Sequence, residues 1–112
     1  MDSPKTTTIT VRTFAMGTDK EAALKPLEEA AEVYAEWQEV CECDEDFLKN
    51  GCCAPNLSIP CIEANHCTMM KNLADEIADC IQACANLAAR YGIDLQAAMD
   101  RCFKRNHRRG RV

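Results

Sequence analysis

Glu29 and Glu32, and again Glu76 and Asp79, stand three residues apart in two stretches with helical periodicity. That spacing puts both carboxylates of a pair on one helical face about one turn apart, so two such helices side by side present four carboxylates to one point. The chemistry they could do is hard-cation binding. Mg²⁺ takes a few carboxylate oxygens and keeps positions for water and substrate phosphates, and Mn²⁺ is the expected substitute.

Each pair has a plainer reading. On the first helix, Lys25, Glu29, Glu32, Glu36 and Glu39 gather opposite Leu24, Leu27, Ala31 and Tyr34, which taken alone is how a solvated face looks. On the second, the polar arc of Asn72, Asp75, Glu76, Asp79, Asn86 and Arg90 is narrow, so packing this helix brings Glu76 and Asp79 to the edge of the interior. Buried carboxylates without compensation cost several kcal/mol each, and several close together favour a cation. The alternative is ordinary surface pairing with Arg90 or Lys71.

The elements that must position these residues form an all-α domain. An N-terminal arm spans 1–17, in which the β-branched run 6–13 suits a short strand or an extended segment. Helix one covers 18–41, with Thr18 and Glu21 spaced for a capping box and Pro26 either kinking it or standing at its first turn. Residues 42–67, with Gly51, Pro55 and Pro60, read as a long loop. Helix two covers 68–91 on a main stripe of Leu73, Ile77, Cys80, Ile81, Cys84, Leu87, Ala88 and Tyr91. Gly92 suits the position after its end, and Asp94 the cap of helix three over 94–109.

At 112 residues the chain is one domain, and 47% hydrophobic with only 5% aromatic residues makes a modest core, which favours a homodimer or tetramer. The net charge of −5 argues against general nucleic-acid binding, although Arg101, Lys104, Arg105, Arg108, Arg109 and Arg111 crowd the end. No export-type apolar segment and no membrane-length stretch is present, so the expected location is cytoplasmic and no membrane partner is expected.

Nine cysteines without an export signal are expected to be reduced. Cys80, Cys84 and Cys102 fall at helical core positions, whereas Cys41, Cys43, Cys52, Cys53, Cys61 and Cys67 crowd the loop with His66. Zinc there is the lesser alternative, because Cys41-x-Cys43 and Cys52-Cys53 are not the usual ligand pairs of structural sites.

The stretch Lys25-Pro-Leu-Glu-Glu-Ala-Ala-Glu32, then Asp75-Glu-Ile-Ala-Asp79 and Ala85-Asn-Leu-Ala-Ala-Arg-Tyr-Gly-Ile-Asp-Leu95, resembles the MazG-like nucleotide pyrophosphohydrolases of the all-α NTP pyrophosphohydrolase superfamily. The resemblance covers roughly 20–40 and 70–110 and rests on the ordered E-x-x-E and E-x-x-D pairs. It implies a helical bundle completed by dimerisation and Mg²⁺-dependent cleavage of a nucleoside triphosphate to a monophosphate and pyrophosphate. Glu29, Glu32, Glu76 and Asp79 would be the metal-binding and catalytic set, and Lys25 matches the family's lysine one turn before it. The connection between the two pairs is longer than usual and full of cysteine.

The reaction needs charge neutralisation on the polyphosphate, an in-line water and help for the leaving group. Lys25 could meet a phosphate or merely pair with Glu29. Arg105 and Arg109, with Lys104 and Arg108, could clamp the outer phosphates or simply complement the helix dipole. Asn86 is a candidate contact to sugar or a bound water. Trp37 could stack on a base or pack in the core, while Glu28 and Glu36 are auxiliaries or solvated residues. The opposing class is a non-enzymatic helical interaction module, zinc-stapled through the loop, whose acids are only surface.

Overall fold

The computed structural model describes residues 5–50 and 62–111, with side chains described for 5–41 and 68–111. The described residues form three helices and no strand: α1, Asp19–Asn50, α2, Ile62–Arg90, and α3, Leu95–Arg108. The expected loop is therefore shorter than its composition suggested, since 42–50 prolong α1 and 62–67 open α2. Residues 51–61 lie outside the described residues. So do the side chains of Cys43, Cys52, Cys53, Cys61, His66 and Cys67, and with them the zinc alternative for this segment.

Local chemistry fixes the helix ends. Thr18 Oγ1 accepts from the Glu21 amide at 3.2 Å and Glu21 Oε1 accepts from the Thr18 amide at 3.0 Å, which is the reciprocal capping box. Pro26 lies inside α1, and its carbonyl faces Cys80 Sγ at 4.0 Å. α2 stops at Gly92, whose φ of 62° is a left-handed conformation, with the Ile93 amide reaching back to the Ala88 carbonyl at 2.9 Å. Asp94 then caps α3 by accepting from the Ala97 amide at 3.0 Å. Gly92→Ala is expected to cost about 1 kcal/mol by forcing a Cβ into the left-handed region. A denaturant melt with unchanged slope and a lower midpoint would show it.

α1 and α2 pack antiparallel along a seam with the 3-4 spacing of a coiled coil. Buried or half-buried positions along this seam include Ala22, Pro26, Glu29, Val33, Glu36 and Val40 on α1 and Met69, Leu73, Glu76, Cys80, Ala83 and Leu87 on α2. Glu29 and Glu36 of the acidic face thus stand against α2, the reverse of what the wheel suggests alone, while Glu32 and Glu39 remain exposed. The stripe of Leu24, Leu27 and Tyr34 points outward and is exposed.

The segment 5–16 is an extended arm rather than a strand, laid on α2. Phe14 donates its amide to Asn86 Oδ1 at 3.0 Å, and Gln82 Nε2 donates to the Arg12 carbonyl at 2.7 Å. The Arg90 guanidinium ties down the arm's end, donating to the carbonyls of Met16 and Gly17 and pairing with Asp19. α3 has no buried residue.

Among the described residues, no large side chain is fully buried, while Leu27, Tyr34, Trp37, Ile77, Ile81, Met99 and Phe103 are all exposed. The radius of gyration is 17.8 Å, against ~13 Å for a compact chain of this length. The single chain has a seam but scarcely a core. Among the described residues, no helix is long and apolar enough to cross a membrane.

Candidate metal centre

The α1–α2 seam brings the two acidic pairs together. One carboxylate oxygen from each of Glu29, Glu76 and Asp79 lies within 4.8 Å of the others. Glu32, one turn along α1, hydrogen-bonds both Glu76 and Glu29. At such separations two unit charges repel by about 3 kcal/mol at an effective dielectric constant of ~20, a repulsion that a bound cation would relieve.

Burial sharpens the point. Glu29 is only 7% exposed, and Lys25 Nζ meets its Oε1 at 3.1 Å. Its other oxygen, Oε2, is shielded and has no partner, and the same holds for Glu76 Oε2 and Glu36 Oε2. A shielded carboxylate oxygen without a donor is costly unless a proton or a cation meets it. The donor set is all oxygen, drawn from two helices and open toward Asp79 and Glu32 on the solvent side, which fits a hard divalent cation that keeps some water.

The chain registers this strain as retained protons. Glu32 is exposed, yet its carboxyl is raised from 4.5 to about 7 by its hydrogen bonds with Glu76 and Glu29 and by their charge. Glu36 is raised by burial and by the charges of Glu39 and Glu76. Lys25 is raised by its bond to Glu29. For Glu32 the folded chain holds a proton that the unfolded chain has already lost between pH ~4.5 and ~7. Stability of the cation-free protein is therefore expected to fall as pH rises through that window. Melting temperatures recorded from pH 4.5 to 8 in chelator should decline, and saturating Mg²⁺ should flatten the decline. A flat profile in chelator would contradict the clustering.

The remaining candidates are placed less closely. Trp37 is exposed on α1, eight residues or ~12 Å beyond Glu29, and stacks on Tyr34 with ring centroids 5.7 Å apart. Asn86 is buried, but its Oδ1 is taken by Phe14 and Gln82, leaving only Nδ2 without a partner. Arg105 lies on α3 and Arg109 is its C-cap, and among the described residues no ion pair joins either to the carboxylates of the same chain. Glu28 is an outlying partner of Lys25 at 3.6 Å. Glu36 is more deeply engaged than its place on an acidic stripe suggested. The signal for it is the 3-4 spacing Ala22, Pro26, Glu29, Val33, Glu36, Val40, which only the packing partner makes visible.

Comparison with known proteins adds no relative: no family model, no curated protein and no solved structure matches the chain.

Proposed function

We propose that the chain is a Mg²⁺-dependent nucleoside triphosphate pyrophosphohydrolase of MazG-like type, active as a homodimer or tetramer and converting (d)NTP to (d)NMP and pyrophosphate in nucleotide-pool housekeeping. The observation that carries the reading is the meeting of Glu29, Glu76 and Asp79, with Glu32 bonded to two of them, across two helices and with shielded oxygens left unpartnered. Surface acids have no reason to converge in a packed seam.

Glu29, Glu32, Glu76 and Asp79 would hold the cation. When bound, Mg²⁺ neutralises polyphosphate charge and lowers the pKa of a coordinated water. Lys25, already beside Glu29, adds a positive charge where the phosphates arrive. Glu36, whose shielded oxygen faces the same seam, accepts the attacking water's proton. Trp37 and Tyr34 offer an exposed aromatic surface for a base. Arg105 and Arg109 act on phosphates from a neighbouring chain, because α3 is not tied to its own chain's carboxylates.

The exposed stripes on α1 and α2 are what a homo-oligomer needs, and they also suit the opposing reading of a non-enzymatic interaction module. Turnover separates the two. The purified protein with Mg²⁺ and a panel of NTPs and dNTPs should yield monophosphate and pyrophosphate in equal amounts. Absence of turnover across the panel, or release of orthophosphate instead, would sink the enzyme reading.

A further inference from the structure

The arm and α2 form a cleft beside the carboxylate centre. It holds about 570 Å³ between residues 9–12 of the arm and Ala78, Ile81 and Gln82 of α2, a volume in the range of small-molecule sites. Going round α2 at about 100° per residue, Asp79 lies between Glu76 and Ala83 of the seam on one side and Ala78 and Gln82 on the other. The cleft therefore starts next to Asp79, the exposed edge of the cation centre. Its walls are mixed. Ile9, Ala78 and Ile81 are apolar, while Thr10, Arg12 and Gln82 bring polar groups.

Gln82 is held in one orientation. The Phe14 amide can only donate, so the Asn86 atom it meets at 3.0 Å is Oδ1. The Arg12 carbonyl can only accept, so the Gln82 atom donating to it at 2.7 Å is Nε2, which also donates to Asn86 Oδ1 at 2.9 Å. Two backbone groups thus fix the polarity of both side-chain amides. With both Nε2 hydrogens committed, the atom that Gln82 has left for a ligand is Oε1, an acceptor without a partner among the described residues.

Cleavage to a monophosphate and pyrophosphate occurs at the α phosphorus, which bears the sugar. The nucleoside must then lie against the carboxylates, and the arm cleft adjoins them. We propose that this cleft holds the nucleoside and that Gln82 Oε1 accepts from the exocyclic amine of cytosine or adenine. Uracil and thymine place a carbonyl oxygen where the amine would be, setting acceptor against acceptor, so amino bases are preferred to keto bases. The inference rests on the pyrophosphohydrolase reading and adds the base that the site takes. Trp37, further along α1, is the competing surface for that base.

The test compares kcat/KM for dCTP and dUTP, which share a sugar and differ at this edge of the base. The wild-type chain should favour dCTP about tenfold, the worth of one hydrogen bond to a half-buried amide. Gln82→Met, which has no acceptor, should bring the ratio near one. Gln82→Glu loses the tie to the Arg12 carbonyl as Met does but keeps an acceptor, so it should still favour dCTP. That contrast separates base reading from loosening of the arm. A wild-type ratio near one or reversed, or a preference that survives Gln82→Met and disappears in Trp37→Ala, overturns the proposal. If the Gln82 variants lose their helical circular dichroism, Ala78→Phe fills the cleft from an exposed position and should raise KM for dCTP at least about tenfold. An unchanged KM overturns the cleft. If no nucleotide is turned over, the hydrolysis reading falls by itself, and equilibrium dialysis of dCTP and dUTP with Mg²⁺ decides the cleft. Tighter binding of dCTP that Gln82→Met abolishes supports it, and equal binding or none overturns it.

Discussion

Glu76→Gln is expected to abolish nucleotide hydrolysis and, in chelator, to raise the melting temperature. Both effects come from one group. Glu76 stands in the α1–α2 seam with Oε2 shielded and unpartnered, within 4.8 Å of Glu29 and Asp79 and bonded to Glu32. With a cation bound, its negative charge is one of the few holding the ion against the substrate phosphates. Losing it should lower kcat/KM by ~10³, equivalent to ~4 kcal/mol. Without a cation the same charge only repels its neighbours and leaves an oxygen unsatisfied. The neutral amide then relieves on the order of 1 kcal/mol, or ~4 °C in a domain this size. Opposite signs for activity and stability mark a site held under strain for function. A variant that loses activity and stability together would instead mark Glu76 as a packing residue, and one that keeps full turnover would remove it from the chemistry.

The three helices, and the ends that carry caps, are legible in the sequence because their signals are local. Thr18 with Glu21, Gly92 and Asp94 each act within a turn of the chain, and the structure uses each as its spacing implies. The two acidic pairs were equally legible as pairs. What the sequence could not convey was which face of α1 meets α2. Composition favours burying Leu24, Leu27, Ala31 and Tyr34, yet packing buries Glu29 and half-buries Glu36 instead. That inversion is invisible to a wheel, which ranks faces by hydrophobicity and assumes the chain alone must satisfy them. The helices run further into the expected loop than its composition implies, for a related reason. Gly51, Pro55 and Pro60 signal irregular backbone, but a helix hairpin lengthens α1 and α2 toward them beyond the last strongly periodic residue. The roles suggested for Asn86 and for Arg105 and Arg109 depended on distances between elements, and no single-chain periodicity encodes those.

Replacing both Ile77 and Ile81 by Asp is expected to split the assembly and remove activity while leaving the hairpin folded. Both side chains are exposed in the single chain, at 43% and 39%, and lie one turn apart on α2, off the positions that meet α1, with Ile81 beside Ile9 and Arg12 of the arm. Two charges placed there cost the monomer little, since surface substitutions usually stay within about 0.5 kcal/mol. In a two-fold contact each charge appears twice, four carboxylates against the two copies of Arg12 that lie beside Ile81. Burying them should weaken association by more than ~4 kcal/mol, or ~10³-fold. Activity should fall with it, because Arg105 and Arg109 reach phosphates only from a neighbouring chain in the proposed arrangement. Sedimentation equilibrium measures the first effect, far-ultraviolet circular dichroism controls for the fold, and turnover across a dilution series links assembly to chemistry. A monomeric variant with undiminished turnover would separate the carboxylate centre from the assembly and place the whole reaction within one α1–α2 hairpin.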